Sequence, residues 1–396
     1  MNHSPRVLVF TPTPTHPPIQ GNRQRIFDIC RALRTVGAEL TVQYYATEDV
    51  SAEEARQMRE AWGEVDIVFP RDFSPRQSLA RYPALDDWYD DSITEAVRRL
   101  CVRRHFDACV VNYVWYSKLF DALPSSVVRV LDTHDVFGGR AARFAELGLT
   151  AEWFHTSAAE ESKGLDRSDF VIAIQSEETA LFEAATQARV RTVGLLSAPD
   201  LLPAPHPRRS GPLKAGYIAS GNPFNVSSIL SFARALEAHT QLLDMMEFHV
   251  AGQVCAALAR IPHRFVLHGK TESVRDFYES MDVAINPMTG GTGLKIKSIE
   301  ALSFGRPLAA TRDAMIGIPT SHPGHELAGS PEIVKWLIGL AEERSRLAEE
   351  SEISRRVFRA YRQAQLRAFR DLWSEIRSEC DLRRAHASKV AGGVAE

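Results

Sequence analysis

Short apolar runs recur along this chain, separated by longer stretches in which apolar residues return at helical spacing. Arg6 to Phe10 is the first run; a Pro/Thr loop, Thr11 to Gln20, and a helix expected from Gly21 to about Val36 follow it. Further strands are expected at Glu39 to Tyr45, Val65 to Phe69, Asp107 to Asn112, Val127 to Asp132, Asp169 to Ile174 and Val190 to Val193. Strand and helix signals in alternation imply parallel βαβ units and a doubly wound sheet. Periodicity then breaks between Leu196 and Pro212, where five prolines fall within a short span, as a linker would read. The alternation resumes at Ala215 to Ala219 and continues through a helix at about Val226 to His239. Strands are then expected at Glu247 to Ala251, Arg264 to His268, Val283 to Asn286 and Leu308 to Thr311. The expected architecture is α/β: two Rossmann-like domains whose parallel sheets face across a cleft. The boundaries fall at 1–198 for the first domain and 212–350 for the second. A closing helix over 351–385 is expected to pack back on the first domain, and 386–396 to form a disordered tail.

That closing stretch carries Phe358, Tyr361, Phe369, Leu372, Trp373 and Ile376 at helical spacing, with arginines on much of the other face. Packing of the aromatic face on the body is the expectation. The rival is a peripheral contact of this basic amphipathic helix with an anionic membrane surface.

Composition narrows the class. A chain of 396 residues exceeds what one core usually holds, and 44% hydrophobic with 24% charged residues is ordinary for a globular protein. No apolar run is long enough to span a bilayer, and the first residues show no signal-peptide pattern, so a cytoplasmic location is expected, with the inner membrane face as a variant. A formal net charge of −3 argues against a nucleic-acid partner. The five cysteines lack a CxxC pair and read as reduced thiols. Asp86, Asp87, Asp90 and Asp91 lack Asp-x-Asp spacing, and the histidines lack ligand spacing, so no metal is expected. No Gly-x-Ser-x-Gly, Walker or Gly-x-Gly-x-x-Gly motif occurs, against hydrolase, ATPase and dinucleotide-oxidoreductase functions.

The chemistry concentrates between Asp282 and Pro307. A buried strand runs into a glycine-rich turn, Gly290, Gly291 and Gly293, and then into a helix bearing Lys297 and Glu300 one turn apart. Glycines let a ligand approach the backbone, and a helix N-terminus offers unpaired N–H groups to a phosphate. Lys297 and Glu300 share a helix face, one suited to a phosphate and the other to a ribose diol.

The segment from Gly291 to Pro307, Gly-Thr-Gly-Leu-Lys-Ile-Lys-Ser-Ile-Glu-Ala-Leu-Ser-Phe-Gly-Arg-Pro, resembles the nucleotide-sugar site of group 1, or family 4, glycosyltransferases of the GT-B fold. The resemblance implies donor contacts at Gly290, Gly291, Thr292, Gly293, Leu294 and Lys295, a ribose contact at Glu300 and phosphate stabilisation by Lys297. Thr292 stands where the family has its first acidic residue. The family usually places an Arg and a Lys after the first strand of this domain; here Ala219 to Asn225 has neither, leaving Gly221 and Asn222 as backbone contacts and Lys295 or Lys297 as substitutes.

In the first domain, His134 and Asp135 follow a strand end, where open α/β sheets bind ligands. By resemblance His134 faces the transferred sugar, suited to donating a hydrogen bond to it or to orienting the acceptor. Asp135 is a second catalytic candidate, and Gly21 allows donor approach. Tyr113 and Trp115, past another strand end, suit stacking on acceptor sugar rings, with Arg140 beside them. The implied activity moves a sugar from a nucleotide diphosphate sugar to a carbohydrate or lipid-linked glycan acceptor, with retention and with no cofactor beyond that co-substrate. The competing reading is a non-catalytic nucleotide- or carbohydrate-binding subunit.

Overall fold

The computed structural model describes the chain except residues 1–3, 19, 72, 147, 149, 152, 206–210, 262, 291–292 and 393–396, and it leaves out the side chains of 388–392. It divides into two compact units, Met1–Leu196 with Gln365–Glu396, and Ser197–Ala364.

The first unit is built on seven strands: β1 (Arg6–Thr11), β2 (Glu39–Tyr45), β3 (Glu64–Val68), β4 (Ala108–Asn112), β5 (Val128–Asp132), β6 (Phe170–Ala173) and β7 (Arg189–Thr192). They pair in parallel in the order β3-β2-β1-β4-β5-β6-β7. Val7, Leu8, Val9 and Phe10 of β1 are all fully buried, as a strand covered on both faces requires. The sheet is sandwiched between two apolar clusters. One is rich in aromatic residues around Trp115 and Phe120; the other includes Ile29, Leu33 and Met58.

The second unit carries five parallel strands: β8 (Leu213–Ile218), β9 (Met246–Ala251), β10 (Phe265–Gly269), β11 (Val283–Asn286) and β12 (Leu308–Ala310). Their order is β10-β9-β8-β11-β12. In each sheet the strand order reverses beside the first strand, between β1 and β4 and between β8 and β11, and the loops leaving those carboxyl ends flank a crevice where α/β proteins bind ligands.

Two boundary expectations change. The segment read as a linker belongs to the second unit from Ser197 on: Asp200 and Leu202 donate backbone hydrogen bonds to Ser303 and Phe304, and Leu202 is buried. The closing helix runs Arg346–Gly392, starting earlier than 351 and continuing through part of the expected tail. Good helix formers with no Pro or Gly interior carry it on. Its Phe369, Leu372, Trp373, Ile376 and Cys380 complete an apolar cluster of the first unit. Arg383 pairs with Asp169 at 2.7 Å and Arg384 with Asp107 at 2.6 Å. Phe358 and Tyr361 are buried as well, so the aromatic face that a membrane would engage is covered by protein. Among the described residues no helix is long and apolar enough to cross a membrane.

Candidate active site

In the second unit, β8 leads through Ala219–Gly221 into the helix Pro223–Glu237, whose N-cap Asn222 accepts a hydrogen bond from the Asn225 amide at 2.9 Å. Pro at the first helical position suits this start, because its missing N–H would have had no partner. Gly221 N–H points at Gln253 Oε1, 3.4 Å away. β11 leads through residues 287–295 into the helix Ile296–Ser303. Gly290 and Gly293 both take positive φ, 73° and 72°, which explains why the turn needs glycine there. Asp313 fixes the turn by accepting from Gly290 N–H at 2.6 Å. Asn286 donates to Ser298 Oγ at 2.8 Å, which donates on to Ala314 O, locking strand to helix. The positions Gly291 and Thr292 lie outside the described residues.

Leu294 is buried, and Lys295 turns its Nζ back onto Gly293 O at 2.7 Å, so this lysine braces the turn. Lys297 reaches the other helix: its Nζ donates to Asn225 Oδ1 at 2.8 Å. Asn225 closes the stretch that lacks the family's two cations, and the structure therefore brings a cation to that stretch from the neighbouring helix. Asn225 is itself buried and donates through Nδ2 to Ser220 O and Oγ. Glu300, one turn beyond Lys297, hydrogen bonds with the Tyr278 hydroxyl. Burial pushes Lys297 down to about 8, partly opposed by Glu300; burial likewise pushes Glu300 up to about 7, opposed by Tyr278 and Lys297. At neutral pH the ammonium is charged but incompletely neutralised, ready for an anion. The sequence motif marked Lys297 and Glu300 but gave no sign of Tyr278 or Asp313, which come from remote segments.

In the first unit, His134 and Tyr113 follow β5 and β4, and both adopt left-handed backbone, φ 65° and 70°, in which non-glycine residues are strained. Their rings stack 4.1 Å apart, and Tyr113 stacks on Trp115 at 4.7 Å. Asn112 donates through Nδ2 to Phe10 O at 2.7 Å, which turns its Oδ1 toward His134 Nε2 at 2.8 Å. Burial, opposed by the Asp132 carboxylate and helped by Arg25, pushes His134 down to about 4, so the ring is neutral at pH 7. Nε2 then carries the proton and gives it to Asn112, leaving Nδ1 as an acceptor. The expected hydrogen-bond donation from this ring to a sugar is thereby corrected, because its one N–H is engaged within the protein.

Asp135 pairs with Arg140 at 2.5 Å and accepts from the Val136 amide, and Arg140 also lies over the Phe137 and Phe144 rings. Each of these two candidates is thus held by the other. Gly21 opens the helix Gly21–Thr35, and the Asn22 side chain hydrogen bonds with the Tyr113 hydroxyl. Sequence reasoning missed Arg25, fully buried in that helix, which grips Asp132 at the end of β5 (Nε–Oδ2 2.9 Å) and donates to Val193 and Gly194 carbonyls. The strand ends β1, β2 and β4 also enclose a cavity of about 470 Å³ that both Tyr113 and Trp115 line.

The acidic group near residue 90 is engaged piecemeal. Asp86 pairs with Arg167, Asp87 accepts from Ser78 and Ala84, Asp90 caps Ser92, and Asp91 pairs with Lys118. Among the described residues no group of three or more His, Cys, Asp or Glu is placed to hold a metal ion.

Residues 214–330, within the second unit, match the family of glycosyl transferases group 1. No curated protein sequence matches the chain. Among solved structures it is similar to HepE from Anabaena, solved in complex with UDP and glucose, at 13% identity over 94% of this chain and 99% of that one, TM-score 0.63. Sucrose-phosphate synthase from Thermosynechococcus elongatus gives 13% identity, 95% and 100% coverage and TM-score 0.66. TarM from S. aureus, in complex with Fondaparinux, alpha-GlcNAc-glycerol and UDP, gives 9% identity, 94% and 99% coverage and TM-score 0.63. Likeness at such identities speaks for the architecture of two parallel-sheet units, and the matched segment contains the glycine turn, Lys297 and Glu300. The group 1 glycosyl transferase match thus lies on residues 214–330, and the chain as a whole has the two-unit GT-B architecture of its structural neighbours.

Proposed function

We propose that the chain transfers a sugar from a nucleoside diphosphate donor, bound at the carboxyl ends of β8 and β11, to a hydroxyl of a carbohydrate or lipid-linked acceptor bound by the first unit. The observation that carries this reading is the Lys297 ammonium, 2.8 Å from Asn225 and one turn before Glu300, at the mouth of a glycine turn. Departure of a diphosphate needs charge stabilisation, and a preorganised ammonium with backbone N–H groups at two helix starts supplies it without a metal. Glu300 takes the ribose diol, with Tyr278 orienting the carboxyl. The donor sugar extends from the diphosphate past Gly290, and in the first unit the neutral His134 offers Nδ1 as an acceptor to a sugar hydroxyl. Transfer proceeds with retention, the acceptor hydroxyl attacking the face the phosphate leaves.

HepE and TarM were each solved with UDP, which makes UDP the first nucleotide to test. UDP, GDP and dTDP are titrated calorimetrically, and release of free nucleotide is followed from the matching sugar donors. One nucleotide is expected to bind, and Glu300→Ala to weaken it several-fold with the fold intact. Unchanged binding in that variant would refute the site, while binding without any turnover would favour a non-catalytic subunit. The anomer of the first product, read by NMR, decides retention.

A further inference from the structure

The cavity of about 470 Å³ in the first unit is lined mainly by rings, Tyr45, Phe73, Trp88, Tyr113, Trp115 and Trp153 among them. Its size suits a small organic group. Much of the hydrogen-bonding capacity in its wall is already engaged within the protein. Tyr45 donates to Asp90 at 2.9 Å and Thr47 to Pro12 O at 2.6 Å. The Tyr113 hydroxyl bonds with Asn22. The Thr13 hydroxyl and the Trp115 indole N–H are buried without a partner among the described residues. Glu48, paired with Arg23 at 2.6 Å and with its side chain 37% exposed, keeps capacity to accept one more hydrogen bond.

A free oligosaccharide brings more hydroxyls than Thr13, Trp115 and Glu48 can partner in this wall. Each of its hydroxyls shut in without a partner lowers affinity roughly fivefold or more. An apolar group needs no partners and gains about fourfold in affinity per buried methylene, with stacking added for a flat ring. We propose that this cavity seats the acceptor by an apolar aglycone, an alkyl chain or an aryl ring, while the hydroxylated part of the acceptor lies at the polar edge beside Glu48. This rests on the transferase reading above and specifies its acceptor.

Binding of methyl, n-octyl and phenyl β-D-glucoside to the full chain, below micelle-forming concentrations and without donor, tests it by calorimetry. The sugar is constant, so differences report the aglycone. The octyl or the phenyl glucoside is expected to bind at least about tenfold more tightly than the methyl one. The stronger of the two tells an alkyl from an aryl occupant. Trp153→Ala and Phe73→Ala, both at partly exposed positions, are each expected to remove about threefold or more of that preference and to leave UDP binding unchanged. Equal affinity for the three glucosides, or a preference indifferent to both substitutions, overturns the inference. Failure of UDP to bind the parent chain would instead overturn the donor site and leave this result standing.

Discussion

Lys297 shows what one residue does when its surroundings change its chemistry. Burial brings its proton loss down to about 8, so the ammonium that would meet a diphosphate exists below that pH and disappears above it. UDP affinity measured by calorimetry is therefore expected to fall as pH rises past about 8, by up to about tenfold per pH unit. Lys297→Arg keeps its charge throughout this range and should abolish the fall. Lys297→Met should weaken UDP binding by about 1.5–3 kcal/mol at pH 7, the usual worth of a charge-assisted hydrogen bond. His134 has the opposite lesson for acid. Its folded pKa, about 4, is below the unfolded value of 6.5, so the unfolded chain binds the extra proton first. Stability from this residue is present above about 6.5 and lost as pH falls toward about 4. His134→Gln should flatten that part of the denaturation midpoint against pH.

Among elements, the helix Gly21–Thr35 is tied to the sheet by more than its apolar stripe. Arg25 and Asp132, both fully buried, form an ion pair completed by two carbonyls after β7, and so tie this helix to the ends of β5 and β7. Breaking such a pair leaves one charge buried alone. Arg25→Met is expected to destabilise the fold by about 3–5 kcal/mol in urea unfolding, and replacing Asp132 as well by a leucine should recover much of the loss. The strands were legible in the sequence with boundaries within a residue or two, because a strand buried on both faces reads as an unbroken apolar run. Arg25 was not legible. A basic residue in an amphipathic helix reads as surface, and only the fold reveals a carboxylate waiting beneath it.

For the whole molecule, the chain returns to its beginning: residues from Gln365 onward belong to the unit that starts at the N-terminus. Trp373, Leu372 and Ile376 cover an apolar cluster shared with Ile29 and Leu33. Ending the chain at Ala364 is expected to leave that cluster open, so that limited proteolysis digests the first unit before the second. Trp373→Ala should cost about 3–5 kcal/mol in the same unit, as large buried aromatic residues do.

The fold class, the twelve strands among the described residues and the Lys297/Glu300 pair followed from local order alone, because periodicity and turn chemistry act over a few residues. The rest required tertiary structure. Asn225 and Lys297 are 72 positions apart, Arg25 and Asp132 are 107 apart, and the aromatic cavity gathers rings from segments as distant in sequence as Tyr45 and Trp153. Hydrogen bonds and desolvation depend on distance in space, and only packing of the sheets sets those distances, so local pattern could name the lysine but not the asparagine that holds it.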